Sequence, residues 1–173
     1  MNNSITLQTI NSLKQAEFVN TLGGIFEHSP WVAEQAFTLQ PFSSIMQLHE
    51  SMKNIVDNAD QQHRKDLICN HPELAGREAE AGELTQDSKN EQAAAGLSNC
   101  SAEELHQLRK LNKQYREKFD FPFVVAVKQL TRYDILDAIT NRLQNSLDIE
   151  FKNCIDEIGK IAEFRLRQLI TTE

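Results

Sequence analysis

Two short stretches of this sequence hold residue types that can move protons near neutral pH. In "ICNHPELAG" a histidine, His71, stands directly before Pro72. The proline ring pushes the preceding residue out of the α region, so His71 is expected in an extended turn with its imidazole fixed in direction. An ordinary imidazole pKa of about 6.5 suits proton transfer there. In "TQDSKNEQAAAGL", Ser88, Glu91 and Gln92 fall at i, i+3 and i+4. That spacing puts a hydroxyl, a carboxylate and an amide on one face of a helix that Gly96-Leu97 closes. Each feature also has a structural reading. A histidine on a turn is commonly a surface or satisfied residue. Ser-x-x-Glu opens many helices as a capping box, which accounts for Ser88 and Glu91 but leaves Gln92 unexplained. His28, His49, His63 and His106 share no turn with a rigid proline and a facing carboxylate.

Near the C-terminus, Phe151, Cys154, Ile158, Ile161 and Arg165 follow a 3-4-3-4 spacing. Arg165 is therefore in phase with an apolar stripe, whereas Arg167 lies about 200° further round the helix. An inward guanidinium needs an internal carboxylate or a bound anion, and either would satisfy it. With His71, Ser88, Glu91 and Gln92 it would suit a small, polar, anionic substrate.

The elements that must position these residues read as helices. "SLKQAEFVNTLGGIF" places Leu13, Phe18, Leu22 and Ile25 near one face, and "HSPWVAEQAF" offers Ser29 as N-cap with Pro30 at the first helical position. "SSIMQLHESMKNIV" repeats Ile45, Leu48, Met52 and Ile55 at helical spacing, and "DQQHRKDLI" runs on to the Asn70-His71-Pro72 turn. "SAEELHQLRKLNKQYREKF" opens with a Ser101-x-x-Glu104 capping box and aligns Leu105, Leu108, Leu111, Tyr115 and Phe119. Pro122 ends it. "FVVAV" then fits a strand, a buried extended segment or the first turn of the next helix, and its periodicity does not choose among them. "YDILDAITNRLQN" and "SLDIEFKNCIDEIGKIAEFRLRQLI" predict two further helices. No strand signal can build a sheet, and neither a repeat nor a linker divides the chain. The expectation is one all-α domain over residues 1–173, a bundle of roughly eight helices.

Composition narrows the function. The chain has 173 residues, 40% hydrophobic and 25% charged, enough for a proper core. A net charge of −7 and a pI near 5.3, with no basic cluster, argue against a nucleic-acid binder. No apolar run is long enough to span a membrane, and "MNNSITLQTI" lacks the basic start and apolar core of a signal peptide. Cys69, Cys100 and Cys154 are odd in number and far apart, which fits reduced, cytoplasmic thiols better than a disulfide framework. His49-Glu50 fails the His-Glu-x-x-His pattern, and His63, Cys69 and His71 have no recognised ligand spacing, so no metal is expected.

"HPELAG", "SKNEQAAAGL", "LNKQYREKFDFPFVVAVK" and "EFKNCIDEIGKIAEFRL" together resemble the 2-oxo-4-hydroxy-4-carboxy-5-ureidoimidazoline (OHCU) decarboxylases of urate degradation, and "FEHSPWVAEQA" looks like that family's opening motif. The likeness covers nearly the whole chain. It implies an all-helical, cofactor-independent enzyme, usually a homodimer. Such an enzyme converts OHCU to (S)-allantoin and carbon dioxide after urate oxidase and hydroxyisourate hydrolase have acted. Carried over by motif, His71 is the catalytic histidine, with Glu91 as its partner in catalysis. Pro72, the helix residues Ser88, Lys89, Asn90, Glu91 and Gln92, the segment Phe123, Val124, Val125, Ala126 and Val127, and Arg165 contact substrate. Many relatives carry glycine where this chain has Gln129, which puts the local turn in question. The chain ends "ITTE", not in a Ser-Lys-Leu-like peroxisomal signal, so a bacterial-type cytoplasmic enzyme is implied. In OHCU the departing carboxylate leaves a carbon that bears a hydroxyl and adjoins a C=N bond. The substrate is its own electron sink, consistent with the missing cofactor motifs. The rival readings are a non-catalytic helical interaction module, and a lyase or hydrolase acting on another ureido compound.

Overall fold

A computed structural model describes residues 5–171. The expectations drawn from the opening "MNNS" and from the final Thr172-Glu173 lie outside the described residues.

The all-α expectation holds. Among the described residues there are ten α-helices, a 3-10 turn at Leu97–Asn99 and one pair of two-residue strands. In chain order they are β1 (Ile5–Thr6), α1 (Leu7–Ser12), α2 (Gln15–Leu22), α3 (Trp31–Phe37), α4 (Ile45–Asp57), α5 (Gln61–Cys69), α6 (Arg77–Ala81), α7 (Gln86–Ala94), α8 (Ala102–Phe119), α9 (Arg132–Arg142), α10 (Leu147–Leu169) and β2 (Ile170–Thr171). The two helices beyond the expected eight are α1 and α6, of six and five residues, too short to show a 3.6-residue period. The strands pair in parallel with Ile5 opposite Ile170, and two residues are likewise too few to show alternation.

Internal contacts divide the chain into two compact units. The first takes in residues up to Asn70 and from Gly159 onward. Its core gathers Ile10, Phe18, Leu22, Val32, Leu48, Met52, Ala162 and Leu166, all buried. Phe18 meets Phe37 edge-on at 5.7 Å and stacks on Phe42 at 6.3 Å. Pro30 occupies the N-cap of α3, one residue later than expected, and the Ser29 hydroxyl donates instead to the Glu27 carbonyl at 3.0 Å. His49 Nε2 bonds the Gly159 carbonyl oxygen at 2.8 Å, which ties that histidine to structure.

The second unit runs from His71 to Ile158 and holds most of the candidate residues. Its spine is α8, opened by the reciprocal Ser101/Glu104 capping box. The helix closes on Asp120 at φ 62, with Pro122 two residues on. The buried stripe of α8 is Leu108, Asn112, Tyr115 and Phe119, so an asparagine occupies one of its core positions. Aromatic rings cluster beside it: Tyr115 lies 4.6 Å from Phe119, 6.1 Å from Phe121 and 5.3 Å from Phe123.

Candidate active site

His71 lies on the turn after α5 and is buried, at 7% exposure. That removes the reading of a loose surface histidine. The chain then runs through Pro72 to a left-handed residue, Ala75 at φ 52, a conformation that L-residues adopt only when their surroundings impose it. Gly76 follows because the chain folds tightly back on itself. A Cβ there would stand 2.6 Å from the Cβ of Glu73.

Side chains from two helices impose this path. The Ala75 backbone N–H donates to Gln92 Oε1 of α7 at 3.0 Å. Asn112 Nδ2 of α8 donates to the Leu74 carbonyl at 3.0 Å. Arg116 of α8 pairs with Glu73 at 2.8 Å. Burial nevertheless raises the Glu73 carboxyl above its ordinary pKa, helped by the like charge of Glu78 and opposed by Arg116.

Helix α7 turns its polar face inward. Ser88 and Gln92 are its buried residues, and Glu91, on the same side by helical spacing, is partly exposed. The capping-box reading of Ser88 and Glu91 is incorrect. Thr85 is the N-cap, its side chain accepting from the Ser88 N–H at 3.3 Å, so Ser88 and Glu91 are interior helix residues. Gly96 at φ 77 closes the helix as expected. Lys89 and Asn90 are exposed, and Asn90 Oδ1 accepts from Gln86 Nε2 at 2.8 Å.

The segment Phe123 to Val127 is neither strand nor helix but an irregular run with Phe123, Val124 and Val127 buried, so the extended alternative is the one realised. Its backbone groups are claimed individually. Arg142 of α9 donates Nη1–H to the Val124 carbonyl at 2.7 Å and lays its guanidinium over the Phe123 ring at 4.5 Å. Glu157 of α10 accepts from the Ala126 N–H at 2.8 Å.

Arg142 is held in turn by Glu150, which is wholly buried and 2.8 Å away. Glu150 also accepts from the Tyr115 hydroxyl, from Asn145 Nδ2 at 2.7 Å and from Asn153 Nδ2 at 2.8 Å. Burial works against its charge, but the hydrogen bonds from Asn145, Tyr115 and Asn153 and the Arg142 cation outweigh it, and the carboxyl stays below its ordinary pKa. Burial pushes the neighbouring Cys154 thiol up, and the Tyr115 phenol up as well, with Cys154 and Glu150 adding to the latter. These three therefore form a fixed scaffold of one carboxylate, one thiol and one phenol.

In the first unit Arg165 is buried as its phase predicts. It meets Glu27 at 2.6 Å and donates to the Gly24 carbonyl at 3.3 Å. Of its two readings, the internal carboxylate is the one the geometry supplies.

Sequence reasoning missed Glu27, Asn112, Arg142, Glu150 and Glu157. Asn112 was accessible in principle, because it completes the 4-3-4 stripe of Leu108, Tyr115 and Phe119. The other four are ordinary polar residues whose importance comes from a distant partner. Among the described residues no group of three or more His, Cys, Asp or Glu could hold a metal ion, and no helix is long and apolar enough to cross a membrane. Cys69, Cys100 and Cys154 remain thiols.

The inward polar face of one helix and the spine of another fix a turn that carries a buried histidine, within a mostly helical fold. Residues 11–167 match the protein family described as OHCU decarboxylase. The OHCU decarboxylase of Haloferax volcanii is 40% identical over 169 residues, 98% of each chain, and that of Xenopus laevis is 37% identical over 96% of this chain and 95% of its own. The uric acid degradation bifunctional protein PucL of Bacillus subtilis is 40% identical over 96% of this chain, which spans 33% of that longer protein. A crystal structure of (S)-allantoin synthase superposes with a TM-score of 0.79 at 30% identity, over 97% of this chain and 55% of that one. The fold is shared with an OHCU decarboxylase structure determined in the presence of (S)-allantoin, at a TM-score of 0.71 and 22% identity. The chain belongs to the OHCU decarboxylase family.

Proposed function

We propose that this chain, acting as one domain, decarboxylates OHCU to (S)-allantoin and carbon dioxide in urate degradation, without a cofactor. Family membership makes it a carboxy-lyase. The observation that supports the site assignment is the seating of His71: a buried imidazole on a turn whose backbone two helices hold.

In the reaction, the bond between the substrate carbon and its carboxylate breaks, and its electron pair enters the adjoining C=N. Carbon dioxide leaves, and a proton is delivered to one face. The protein's share is orientation, stabilisation of developing charge and control of that proton. His71, held in direction by Pro72, takes the hydroxyl proton or steers the carboxylate. Glu91, with Ser88 and Gln92, orients the ureido side and places the new proton. The Gln92 amide oxygen is committed to Ala75, which leaves its Nε2 as the group for substrate. Phe123 to Val127 supply a shaped wall held by Arg142 and Glu157. Arg165 is assigned to an acidic oxygen of the substrate by family likeness alone, and Glu27 holds its guanidinium. Lys89 and Asn90 stay with the substrate-contacting helix by family likeness alone.

We further propose a homodimer in the cytoplasm, supported by the family likeness. The interaction-module reading loses its ground with family membership. Action on another ureido compound stands as the rival substrate. The test is to add the protein to freshly generated OHCU and follow the circular dichroism of the allantoin formed. Rapid appearance of the S-enantiomer is expected. Racemic product at the spontaneous rate would contradict the proposal.

A further inference from the structure

We infer that Asn112 is a positioning residue for His71, acting through the single peptide group that joins Leu74 to Ala75. That peptide is gripped at both ends. Its carbonyl accepts from Asn112 Nδ2 and its N–H donates to Gln92 Oε1, each at 3.0 Å. The two side-chain amides come from different helices, α8 and α7, and both are buried. A peptide held by one bond can swing about the axis of its flanking Cα atoms, whereas one held by its C=O and its N–H cannot.

The grip has something to hold against. Ala75 sits at φ 52, where its Cβ crowds the backbone. Rotating the 74–75 peptide is the shortest route by which Ala75 could reach a negative φ. A change in the φ of Ala75 that the ψ of Leu74 does not compensate would redirect the chain between Pro72 and Gly76. Gly76 has little room to absorb it, since even a Cβ there would come within 2.6 Å of Glu73. Relaxation would therefore pass back toward Pro72 and His71, whose ring direction depends on the backbone before the proline.

The cost of keeping Asn112 supports the assignment. It occupies a core position of α8 between Leu108 and Tyr115, at 2% exposure. Its Oδ1 has no hydrogen-bond partner among the described residues, so its bond to Leu74 is what the buried amide contributes in return. An apolar residue would pack the stripe without that desolvation cost. Asn112 touches the turn and not the reacting atoms, so its effect should fall on the catalytic step more than on substrate binding.

The activity readout rests on the decarboxylase reading, so a second readout is taken that does not. Asn112→Asp keeps the shape but turns an oxygen toward the Leu74 carbonyl. Asn112→Ser removes the amide with a small loss of volume and decides the matter should the aspartate variant fail to fold. For the full chain, kcat and KM on fresh OHCU are measured with the melting temperature. The His71 ring signal is followed in ¹³C-histidine-labelled protein, assigned by its loss in His71→Asn. Expected is a fall in kcat of about 10- to 10²-fold with KM within about threefold of wild type, as for a misplaced catalytic group, and a displaced His71 signal. Unchanged kcat per folded molecule, or a His71 signal at its wild-type position, overturns the inference even if the melting temperature drops. If wild type itself is inactive on OHCU, the decarboxylase reading fails separately, and the His71 signal alone decides: displaced supports the grip, unmoved refutes it.

Discussion

Arg165 and Glu27, 138 positions apart in sequence, close an ion pair at 2.6 Å with side chains only 2% and 1% exposed. Neither charge has water to fall back on, so each depends on the other. Glu27→Ala should therefore cost about 3–5 kcal/mol, the usual penalty for stranding a buried charge. Arg165→Lys keeps the charge but loses the planar guanidinium whose Nη1 serves both Glu27 and the Gly24 carbonyl, so stability and substrate capture should both fall. Arg167, in an exposed pair with Glu163 at 2.9 Å, should tolerate lysine within about 0.5 kcal/mol. Urea unfolding and KM on the three variants check this. Equal behaviour of the two lysine variants would refute the phase argument that selected Arg165.

Because Thr85 caps α7, the helix terminus and the carboxylate can be tested apart. Thr85→Ala should lose about 1 kcal/mol through the lost cap, with turnover per folded molecule retained. Glu91→Gln should leave the melting temperature near wild type and lower turnover by more than about tenfold, as expected for a group that handles a proton or orients the substrate. Thermal melts and turnover on both variants decide it. Normal turnover in Glu91→Gln would remove Glu91 from the chemistry.

What was legible in the sequence was what short-range physics encodes. The Ser101/Glu104 box, the Leu108, Tyr115 and Phe119 positions of the α8 stripe (though Leu105 and Leu111 are only partly buried), the phase of Arg165 and the left-handed Gly96 are all written within a few residues of themselves. The helix containing Ser88, Glu91 and Gln92 was legible too, but a capping box at Ser88 and Glu91 stayed open as an alternative that the structure rules out. Thr85 and Ser88 both suit an N-cap, and only the backbone shows that the helix had already begun. The long-range groups were not legible. Glu27, Arg142 and Glu157 matter because of partners 138, 18 and 31 residues distant, and no local period records such distances. The irregular path of Phe123 to Val127 was ambiguous for the same reason, since distant side chains hold it.

Gln129 adopts φ 68, where the family likeness led us to expect glycine. A side chain in this region costs about 1–2 kcal/mol, part of which glycine's greater unfolded-state entropy would cancel. Gln129→Gly should therefore raise stability by up to about 1 kcal/mol with activity retained. Chemical denaturation measures the first and turnover the second. A loss of stability would show that the Gln129 side chain offsets its own strain.

Stability should fall in acid through Glu150. Its folded carboxyl titrates below the ordinary value, so its contribution is complete above the unfolded pKa of about 4.3 and is lost as pH drops through the folded pKa. Glu73 has the opposite sign: its folded carboxyl is raised, so lowering pH through that value toward about 4.3 relieves a cost. Comparing wild type with Glu150→Gln isolates the first effect. The variant should be less stable at neutral pH and decline less steeply below about pH 4.3. Parallel unfolding curves across that range would refute the assignment.

The most direct test of the central claim is the kcat of His71→Asn on freshly generated OHCU, read from the circular dichroism of (S)-allantoin. Asparagine keeps a polar group of similar width on the turn, so a folded variant isolates the imidazole. The site described above predicts a fall of about 10²–10⁴-fold at a nearly unchanged KM, as for a lost general acid or base. Near-wild-type turnover in a folded His71→Asn variant would contradict it.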